Sequence, residues 1–445
     1  MKKQNYFTLF VTSVAALGGL LFGFDTAVIS GTTSFIQPYF ELSDIGLGWT
    51  VSSLLLGCII GVVIAGRLGD DYGRKKTLII SALLFFVSAI GSALAHELLT
   101  FILFRILGGL GVGVASMLSP MYISEIAPAK HRGRLVTYYQ LAIVIGILLA
   151  FTSNMLLVDT GANNWRWMLS IMALPAVLFF GLLLFAPESP RWLLQKAHKD
   201  QARLILTKID GVEKADTEMD QISRALAEES DAGKYSELFS PKMRAVLFMG
   251  IFIAVFSQIT GINSIMYYAP VIFQTMGEGV NNSIIQTTFI GGTNLLFTII
   301  AIVFVDRIGR KKLLIAGVAM MIVALSGIAI IYLLEQFTGY LALLFILLYI
   351  AAFASSLGPI SWVVISEIFP NRLRSKAMSL SIVALWMTNF LLILVFPVML
   401  KKLGGAISFL FFDVMCVLLL LFAIYRLPET KGKSLEEIEK AIIYH

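Results

Sequence analysis

Twelve stretches of about 20 predominantly apolar residues run along the chain, and they constrain its fold more than any other feature. Each stretch is long enough to cross the hydrocarbon core of a bilayer as a helix. Backbone polar groups in hydrocarbon must be hydrogen-bonded within their own segment, so helices are predicted rather than open strands. The stretches lie near 8–31, 46–68, 77–96, 99–122, 134–157, 167–187, 243–270, 283–305, 312–334, 341–365, 375–399 and 405–425.

The composition agrees with a membrane protein. Of the 445 residues, 58% are hydrophobic and 14% are charged, whereas soluble domains average roughly 45–50% and about 25%. The first apolar stretch is too long for a signal peptide and no small-residue cleavage site follows it, so we expect it to be retained. Cys58 and Cys416 lie in separate apolar stretches and are predicted to be small core residues without a disulfide or a metal.

The basic residues predict the orientation of the chain. Of the 34 Lys and Arg, we place Arg166, Lys401 and Lys402 on one side of the membrane and Arg105 within a span, which leaves 30 on the opposite side. The positive-inside rule makes that side cytoplasmic, with both termini inside. The net charge of +6 is thereby explained, and no nucleic-acid partner is expected.

The chain repeats itself. Three motifs recur at nearly one offset: GRKK at 73–76 and 309–312, E-x6-R at 125–132 and 367–374, and Pro-Glu at 187–188 and 428–429. The repeat predicts two parallel six-helix bundles, an architecture of transporters whose substrate site lies near the midplane between the halves. The predicted divisions are an N-terminal bundle 1–187, a cytoplasmic linker 188–242 with short amphipathic helices, a C-terminal bundle 243–425 and a cytoplasmic tail 426–445.

The repeated loops combine arginines with acidic residues at helix ends, where charge-assisted hydrogen bonds are favourable. A ring of such pairs would hold one conformation closed and would have to break in another. The alternative is that the loops are basic only because the positive-inside rule places Lys and Arg on the cytoplasmic side. The predicted cytoplasmic gate comprises Asp70, Arg74, Glu125, Arg132, Glu188, Arg191, Asp306, Arg310, Glu367, Arg374 and Glu429.

Ionisable residues inside a span mark functional pathways by default. Asp25 lies six residues before the expected end of the first span at Gly31, and Arg105 lies six residues after the expected start of the fourth at Leu99. At about 1.5 Å per residue both sit roughly 9 Å below the outer boundary. The two residues are therefore predicted to interact, either as a proton-coupling pair or as a fixed buried ion pair. A third charged residue, Asp413, is assigned to the outer interface.

The motifs, taken in order, resemble the sugar porter family of the major facilitator superfamily over the whole chain. The first span and SMLSPMYISEIAP are most similar to the proton-coupled xylose carriers of bacteria within that family. The motifs that carry the resemblance are GRLGDDYGRKK, RILGGLGVG, PMYISEIAP with HRGR, PESPRWL, QITGINSIMYYAP, DRIGRKK, GPISWVVISEIFP and LPETKGKSLEEIE.

The resemblance implies a sugar site and a proton site. In proton-coupled members a first-span Asp, here Asp25, takes the proton and the fourth-span Arg, here Arg105, responds to it. Amide side chains match sugar hydroxyls because they both donate and accept. The sugar-binding residues implied are Phe22, Gln140, Gln258, Asn263, Asn294, Trp362 and Trp386. For each amide alone, bonding between helices is the alternative.

The second half also contains expected interruptions and departures from the family. Thr260-Gly261 and Gly358-Pro359 are expected to interrupt spans beside the sugar site. Tyr267 and Tyr268 are then expected to form an extracellular gate, with interface anchoring as the alternative. Ser257 and Leu385 stand where amides are expected, so the sugar is not determined.

The resulting prediction is a carrier that imports a monosaccharide, a pentose or hexose such as xylose or glucose, with a proton by alternating access in a bacterial inner membrane. A passive sugar facilitator, a polyol carrier and a transporter-like sugar sensor are the alternatives. No enzymatic activity, metal or cofactor other than the coupling proton is expected, and the unit is expected to be a lipid-embedded monomer.

Overall fold

The computed structural model describes residues 2–128, 132–229, 235–241, 243–335, 339–369, 373–427 and 429. Most of these residues are helical, and no strand occurs among them. The all-α prediction is confirmed.

Helices follow one another with short connections throughout. The first half forms α1 Lys2–Tyr39, α2 Asp44–Tyr72, α3 Arg74–Leu94, α4 Leu98–Ile126, α5 Arg132–Leu157, α6 Asn164–Ser170 and α7 Ala173–Phe185. The middle segment forms α8 Pro190–Gln195, α9 Lys199–Asp210, α10 Val212–Glu229 and a 3₁₀ turn Tyr235–Phe239. The second half forms α11 Arg244–Ile259, α12 Ile262–Thr275, α13 Val280–Ile308, α14 Arg310–Leu334, α15 Gly339–Ser355, α16 Leu357–Glu367, α17 Arg374–Lys402 and α18 Gly404–Tyr425.

Twelve segments of the described chain are long and apolar enough to cross a membrane, which confirms the predicted number. Three of them consist of two consecutive helices: α6 with α7, α11 with α12 and α15 with α16. In the first of these, Pro175 lies in the opening turn of α7 and has no N–H to donate to the carbonyl of Ile171, so the helix is interrupted there.

The first span is longer than the hydropathy predicts. α1 continues to Tyr39, eight residues beyond the expected end at Gly31. Thr32 and Thr33, directly after Gly31, satisfy their hydroxyls within the helix by donating to the carbonyls of Ile29 and Ser30, both at 2.8 Å. Both threonines are buried, so the helix continues through packed polar residues, which hydropathy alone does not predict.

The predicted amphipathic helices of the linker are present as α8, α9 and α10. α9 and α10 pack together, and Arg203 and Asp216 join them through two parallel hydrogen bonds of 2.7 and 2.8 Å. Both side chains are more than half exposed, so this pair orients the two helices more than it stabilises them.

The chain divides into two compact units. Unit 1 contains residues 1–28, 53–153 and 160–232, and unit 2 contains residues 29–52, 154–159 and 233–445. The six-helix bundles predicted from the repeat divide the chain differently and stay a prediction.

Within unit 1, glycines let α2 and α4 approach backbone to backbone. A Cβ added to Gly57 would come within 2.9 Å of Gly109 Cα, and one added to Gly61 within 3.0 Å of Gly113 Cα. This is the small-xxx-small spacing that brings membrane helices into close contact. The RILGGLGVG motif is thus a packing surface, and it fixes Arg105 one turn before the first contact.

Within unit 2, the last part of α1 and the first part of α2 pack with helices of the second half. Gln274 donates to Ser34 Oγ at 2.8 Å, and Lys401 Nζ lies 3.0 Å from Asp44 Oδ2. A Cβ added to Gly48 would collide with the carbonyl oxygen of Leu394 on α17. These contacts join residues more than two hundred positions apart.

Candidate functional site

A buried ion pair joins α1 to α4 in unit 1. Arg105 Nη1 lies 2.5 Å from Asp25 Oδ1, and Nη2 donates to the Asp25 carbonyl oxygen at 3.3 Å. The two side chains are 1% and 0% exposed. An ion pair this deep is costly to desolvate, and removal of either partner would leave an uncompensated charge.

Asp25 and Arg105 interact as predicted, but not for the predicted reason, which was equal distance from the ends of their helices. Asp25 lies fourteen residues before the end of α1, while Arg105 lies seven residues after the start of α4. The expected end at Gly31 is therefore wrong, and counting from helix ends does not give the depth. The close approach of α1 to α4 decides the pairing instead, since a Cβ added to Gly18 would collide with Ser119 Oγ.

A second charged cluster lies where α2 meets α3. Arg74 donates to both carboxylate oxygens of Glu125, with its Nε 3.0 Å from Oε2 and its Nη2 3.0 Å from Oε1. Its Nη1 donates to Asp70 Oδ1 at 3.1 Å and to the carbonyl of Gly69 at 2.8 Å. Arg74 and Glu125 are buried, whereas the Asp70 side chain is 58% exposed. Two predicted gate residues, Asp70 and Glu125, thus share the guanidinium of a third, Arg74.

Glu188 caps the start of α3. Its Oε1 accepts the backbone N–H groups of Arg74 at 2.9 Å and Lys75 at 3.1 Å, and that of Ser189 at 2.9 Å. A carboxylate is favourable here because the first N–H groups of a helix have no partner within it and carry positive partial charge. Burial raises the pKa of Glu188 above its ordinary value, and these three N–H bonds and the charge of Arg74 oppose that rise.

Gly73 makes this cap possible. Its φ of +96° lies in a region that favours glycine, and a Cβ there would collide with Glu188 Oε2. Lys75 Nζ reaches back to the carbonyl of Leu184 near the end of α7 at 2.9 Å. The turn, the cap and the lysine together tie α3 to α7.

The same arrangement occurs again in unit 2. Glu429 accepts the backbone N–H groups of Arg310 and Lys311, both at 3.1 Å, and Lys311 Nζ donates to the carbonyl of Ile424 at 2.9 Å. Gly309 has a φ of +101° and faces Glu429 as Gly73 faces Glu188. The repeat found in the sequence is therefore also a repeat of contacts.

The segment at 187–192 makes contacts that the sequence analysis missed. Tyr122 donates its hydroxyl to the carbonyl of Pro187. Trp192 Nε1 donates to the carbonyl of Asp70 at 2.9 Å, and Ser189 caps α8 by accepting from the Trp192 N–H at 3.3 Å. The dense polar and aromatic content of PESPRWL was the available signal.

The remaining predicted gate residues are only partly described. Arg191 lies in the first turn of α8 and is half-buried. The side chains that lie outside the described part of the chain are Arg132, Asp306, Glu367 and Arg374.

In unit 2, the seventh span breaks where the sequence predicts. α11 ends at Ile259 and α12 begins at Ile262, and Gly261 between them is left-handed with a φ of +98°. The Tyr349 hydroxyl donates to the carbonyl of Thr260 at 2.9 Å and so satisfies an acceptor that the break leaves without a helical partner. The break is therefore stabilised by tertiary contact.

Two predicted sugar-binding amides lie on either side of this break and contact each other. Asn263 Nδ2 donates to Gln258 Oε1 at 2.7 Å, and Gln258 Nε2 donates to Ser257 Oγ at 3.1 Å. Ser257 in turn donates to the carbonyl of Ala254 at 2.7 Å. Ser257, which departs from the family pattern, thus orients Gln258 through a hydrogen bond.

The predicted gate tyrosines are both buried. Tyr267 is 4% exposed and Tyr268 is 0% exposed. Tyr268 donates to the carbonyl of Ile393 on α17 at 3.1 Å, and its φ of −114° and ψ of 16° depart from helical values two residues before Pro270. This places a second bend in the seventh span.

The other predicted sugar-binding residues lie on separate helices of the two units. In unit 2, Trp386 on α17 is buried, Asn294 on α13 is half-buried and Trp362 on α16 is 40% exposed. In unit 1, Phe22 on α1 and Gln140 on α5 are both half-buried. Their roles stay a prediction.

The tenth span breaks earlier than expected. The non-helical residue is Ser356, with a φ of −133° and a ψ of −87°, rather than Gly358-Pro359. Pro359 lies in the first turn of α16, where N–H groups have no partner within the helix, so the proline costs no helical hydrogen bond. The Ser356 hydroxyl donates back to the carbonyl of Ala352 at 2.6 Å.

Asp413 is the tenth residue of the 22-residue α18, and its Oδ2 accepts a 2.8 Å bond from Ser326 Oγ on α14. Its assignment to the outer interface stays a prediction. Among the described residues, no group of three His, Cys, Asp or Glu side chains is placed to hold a metal ion.

Comparison with protein families gives a match over nearly the whole chain. The family model described as "Sugar (and other) transporter" matches residues 11–442. The arabinose-proton symporter of Bacillus subtilis (strain 168) is 42% identical over 440 residues, which are 98% of this chain and 95% of that protein. The D-xylose-proton symporter of Escherichia coli (strain K12) is 40% identical over 468 aligned positions, covering 96% of this chain and 94% of the other.

Comparison with solved structures agrees. The xylose transporter XylE from E. coli, in an inward-open conformation, superposes with a TM-score of 0.87 at 40% sequence identity. The match covers 97% of this chain and 99% of that one.

Proposed function

Because the chain belongs to the sugar transporter family, within the major facilitator fold, we propose that it imports a monosaccharide together with a proton. Two relatives, one named as a proton symporter of arabinose and one of xylose, are similar to this chain to nearly the same degree. The observation that carries the proton coupling is the buried Asp25–Arg105 pair within membrane spans. Ionisable residues within membrane spans mark ion pathways and proton relays by default, and they commonly pair with each other.

The proton is proposed to bind Asp25. While Arg105 contacts it, the carboxylate is compensated and remains ionised. If α1 moves away from α4, the carboxylate is left unpaired in apolar surroundings, where the neutral acid is favoured. Proton uptake and helix movement are thereby linked at one residue pair.

The sugar is proposed to bind first to the amide pair beside the break of the seventh span. Gln258 and Asn263 present donors and acceptors on adjacent ends of α11 and α12. Replacing their mutual bond by bonds to sugar hydroxyls would leave neither amide unsatisfied. The same role is proposed for Asn294, Trp362, Trp386, Phe22 and Gln140.

The cytoplasmic gate is proposed to be the repeated helix-end clusters. Arg74, Glu125 and Asp70 form one such cluster, and Glu188 and Glu429 cap the helices that begin at the arginines of the repeated GRKK motifs. Each cluster is held by charge-assisted bonds that a rearrangement would exchange for water. Tyr267 and Tyr268 are proposed for the opposite gate.

The protein is a multi-pass membrane protein, and we place it in a bacterial inner membrane with both termini in the cytoplasm, following the distribution of Lys and Arg. The functional unit is proposed to be a lipid-embedded monomer. The proton is the only coupling ion proposed, with no cofactor and no enzymatic step.

The test is sugar-driven proton movement in vesicles that contain the purified protein. Adding sugar outside should alkalinise the external medium, whereas sugar uptake without alkalinisation would establish passive facilitation instead. Asp25→Asn should lose the alkalinisation and concentrative uptake but retain exchange of sugar between the two sides. A panel of pentoses, hexoses and polyols in the same assay identifies the substrate.

A further inference from the structure

Ser257 fixes the orientation of the Gln258 amide at the end of α11. A serine hydroxyl carries one hydrogen, and Ser257 donates it to the carbonyl oxygen of Ala254, one turn earlier in the helix, at 2.7 Å. The hydroxyl oxygen is then left to accept, and it accepts from Gln258 Nε2 at 3.1 Å. The nitrogen end of the Gln258 amide therefore faces Ser257.

The orientation of Gln258 decides that of Asn263 across the break of the seventh span. With Nε2 bonded to Ser257, the Gln258 amide offers Oε1 to Asn263, and only the nitrogen end of the Asn263 amide can donate to it. Asn263 Nδ2 does so at 2.7 Å. Three hydrogen bonds thus run in one direction, from Asn263 through Gln258 and Ser257 to the backbone of α11.

Neither amide fixes this direction by itself. An amide offers a donor at one end and an acceptor at the other, so Gln258 and Asn263 can bond to each other equally well when both are turned over. Ser257 removes that choice, because a reversed Gln258 would place its oxygen against a hydroxyl whose only hydrogen is already donated. Ser257 is 1% exposed and Gln258 is 8% exposed, so little water reaches the bond between them.

The direction of these bonds determines what the amide pair can bind. A group that enters between Gln258 and Asn263 meets Oε1, an acceptor, on one side and Nδ2, a donor, on the other. A sugar hydroxyl satisfies both, because it donates one hydrogen and has lone pairs that accept another. Fluorine in place of that hydroxyl cannot donate and leaves Oε1 without a partner.

We propose that Ser257 is a positioning residue that determines sugar specificity: it makes the amide pair select a hydroxyl that donates to Gln258 Oε1 and accepts from Asn263 Nδ2. This inference rests on the proposed sugar-binding role of the pair and adds the direction in which its hydrogen bonds run. Ser257 itself does not touch the sugar. The bond between Ser257 and Gln258 stays in place when the sugar enters, and only the bond between the two amides is exchanged.

The test compares sugars with their fluorinated analogues. Calorimetry on the purified protein measures the dissociation constants of xylose, arabinose and glucose, and then those of the monodeoxyfluoro analogues of each sugar that binds. In the wild type, fluorine at the ring position held by the pair should weaken binding about tenfold to a hundredfold, the equivalent of one unsatisfied buried acceptor. Gln258→Ala identifies this position independently, because removing the acceptor should abolish the fluorine penalty there and at no other position.

Ser257→Ala then tests the inference itself. The change removes the hydroxyl without adding an atom, so Gln258 can turn its nitrogen toward the fluorine. The penalty at the identified position should fall to about threefold or less, while the sugar itself should bind within about threefold of its wild-type affinity. The penalty compares two ligands on one variant, so a uniform loss of binding-competent protein cancels.

Two further variants separate the hydroxyl from general packing. Ser257→Thr keeps a hydroxyl at this position and should keep the wild-type penalty. Ser381→Ala removes a buried hydroxyl from α17 that donates to the carbonyl of Ala377 at 3.0 Å and bonds no amide side chain in the described part of the chain. This variant should also keep the penalty.

Three outcomes would overturn the inference. The first is a penalty that survives unchanged in Ser257→Ala. The second is a penalty that falls equally in Ser257→Thr, which would assign the effect to volume. The third is a wild type without a penalty that depends on Gln258, although Gln258→Ala weakens the binding of the sugar, which would mean the opposite direction. No binding of the three sugars, or binding that Gln258→Ala leaves unaltered, would instead reject the proposed sugar site, and the two failures are thereby distinguished.

Discussion

Arg74 and Glu125 lie 51 positions apart in the chain and form a bidentate ion pair that is almost completely buried, with Nε 3.0 Å from Oε2. Glu125 therefore depends on one guanidinium for compensation of its charge. Asp70, the other carboxylate on this guanidinium, has a side chain that is 58% exposed.

We expect Arg74→Ala to destabilise the protein by about 3 kcal/mol or more, because it leaves Glu125 buried and unpaired. The double variant with Glu125→Ala should cost less than the sum of the two single changes, since neither charge then remains. Thermal unfolding in detergent measures both. Arg67→Ala is the control, because its pair with Asp71 is 3.7 Å long and exposed. An equal decrease in unfolding temperature in the Arg67→Ala and Arg74→Ala variants would contradict the prediction.

Gly73→Ala should destabilise the protein by about 1–3 kcal/mol through its positive φ, and it should also displace Glu188 from the start of α3. Gly309→Ala should destabilise the protein in the same way, because Glu429 faces Gly309 in the second copy of the GRKK motif as Glu188 faces Gly73 in the first. Gly181→Ala meets no atom within 4 Å and should leave the unfolding temperature within error. An unchanged unfolding temperature in Gly73→Ala would show that the Glu188 cap on α3 is not needed for stability.

The stability contributed by Glu188 should fall as pH rises. Burial, the largest influence, raises the pKa of Glu188 above its ordinary 4.5 in the folded protein. A carboxyl group of this kind stabilises the fold most below its unfolded pKa and loses that contribution as pH rises through the folded pKa. The unfolding temperature of the wild type minus that of Glu188→Gln should therefore decrease as pH rises above the ordinary pKa of 4.5. An increase would mean that the three N–H bonds to the carboxylate outweigh burial.

Gln258→Ala should weaken sugar binding by about tenfold to a hundredfold, the equivalent of one or two hydrogen bonds. The change should appear in the dissociation constant measured by calorimetry, with little change in unfolding temperature without sugar. Gln37→Ala is the control, because Gln37 lies near the end of α1 and makes only a 3.5 Å bond to the carbonyl of Leu42. Unaltered binding in Gln258→Ala would remove the amide pair from the sugar site.

Much of the fold could be predicted because bilayer spans depend on length and apolarity alone. The twelve spans, the linker helices and the break at Gly261 were all predicted from local pattern. The end of α1 was not, because its last two turns mix polar and apolar side chains, and hydropathy does not show that Thr32, Thr33 and Ile36 are buried there. The break at Ser356 was missed for a similar reason, since a proline marks the position of a helix interruption only approximately.

The sequence by itself determined that the chain crosses a membrane as helices, that its loops are duplicated and that Asp25 is charged within a span. Only the tertiary structure decided which groups meet: the 2.5 Å contact of Asp25 with Arg105, Glu188 on the first N–H groups of α3, and the carbonyl of Thr260 with the Tyr349 hydroxyl. The physical reason is the distance along the chain over which each property is set. Apolarity and helix formation are properties of consecutive residues, whereas the partner of a buried charge is set by close packing of helices distant in the chain.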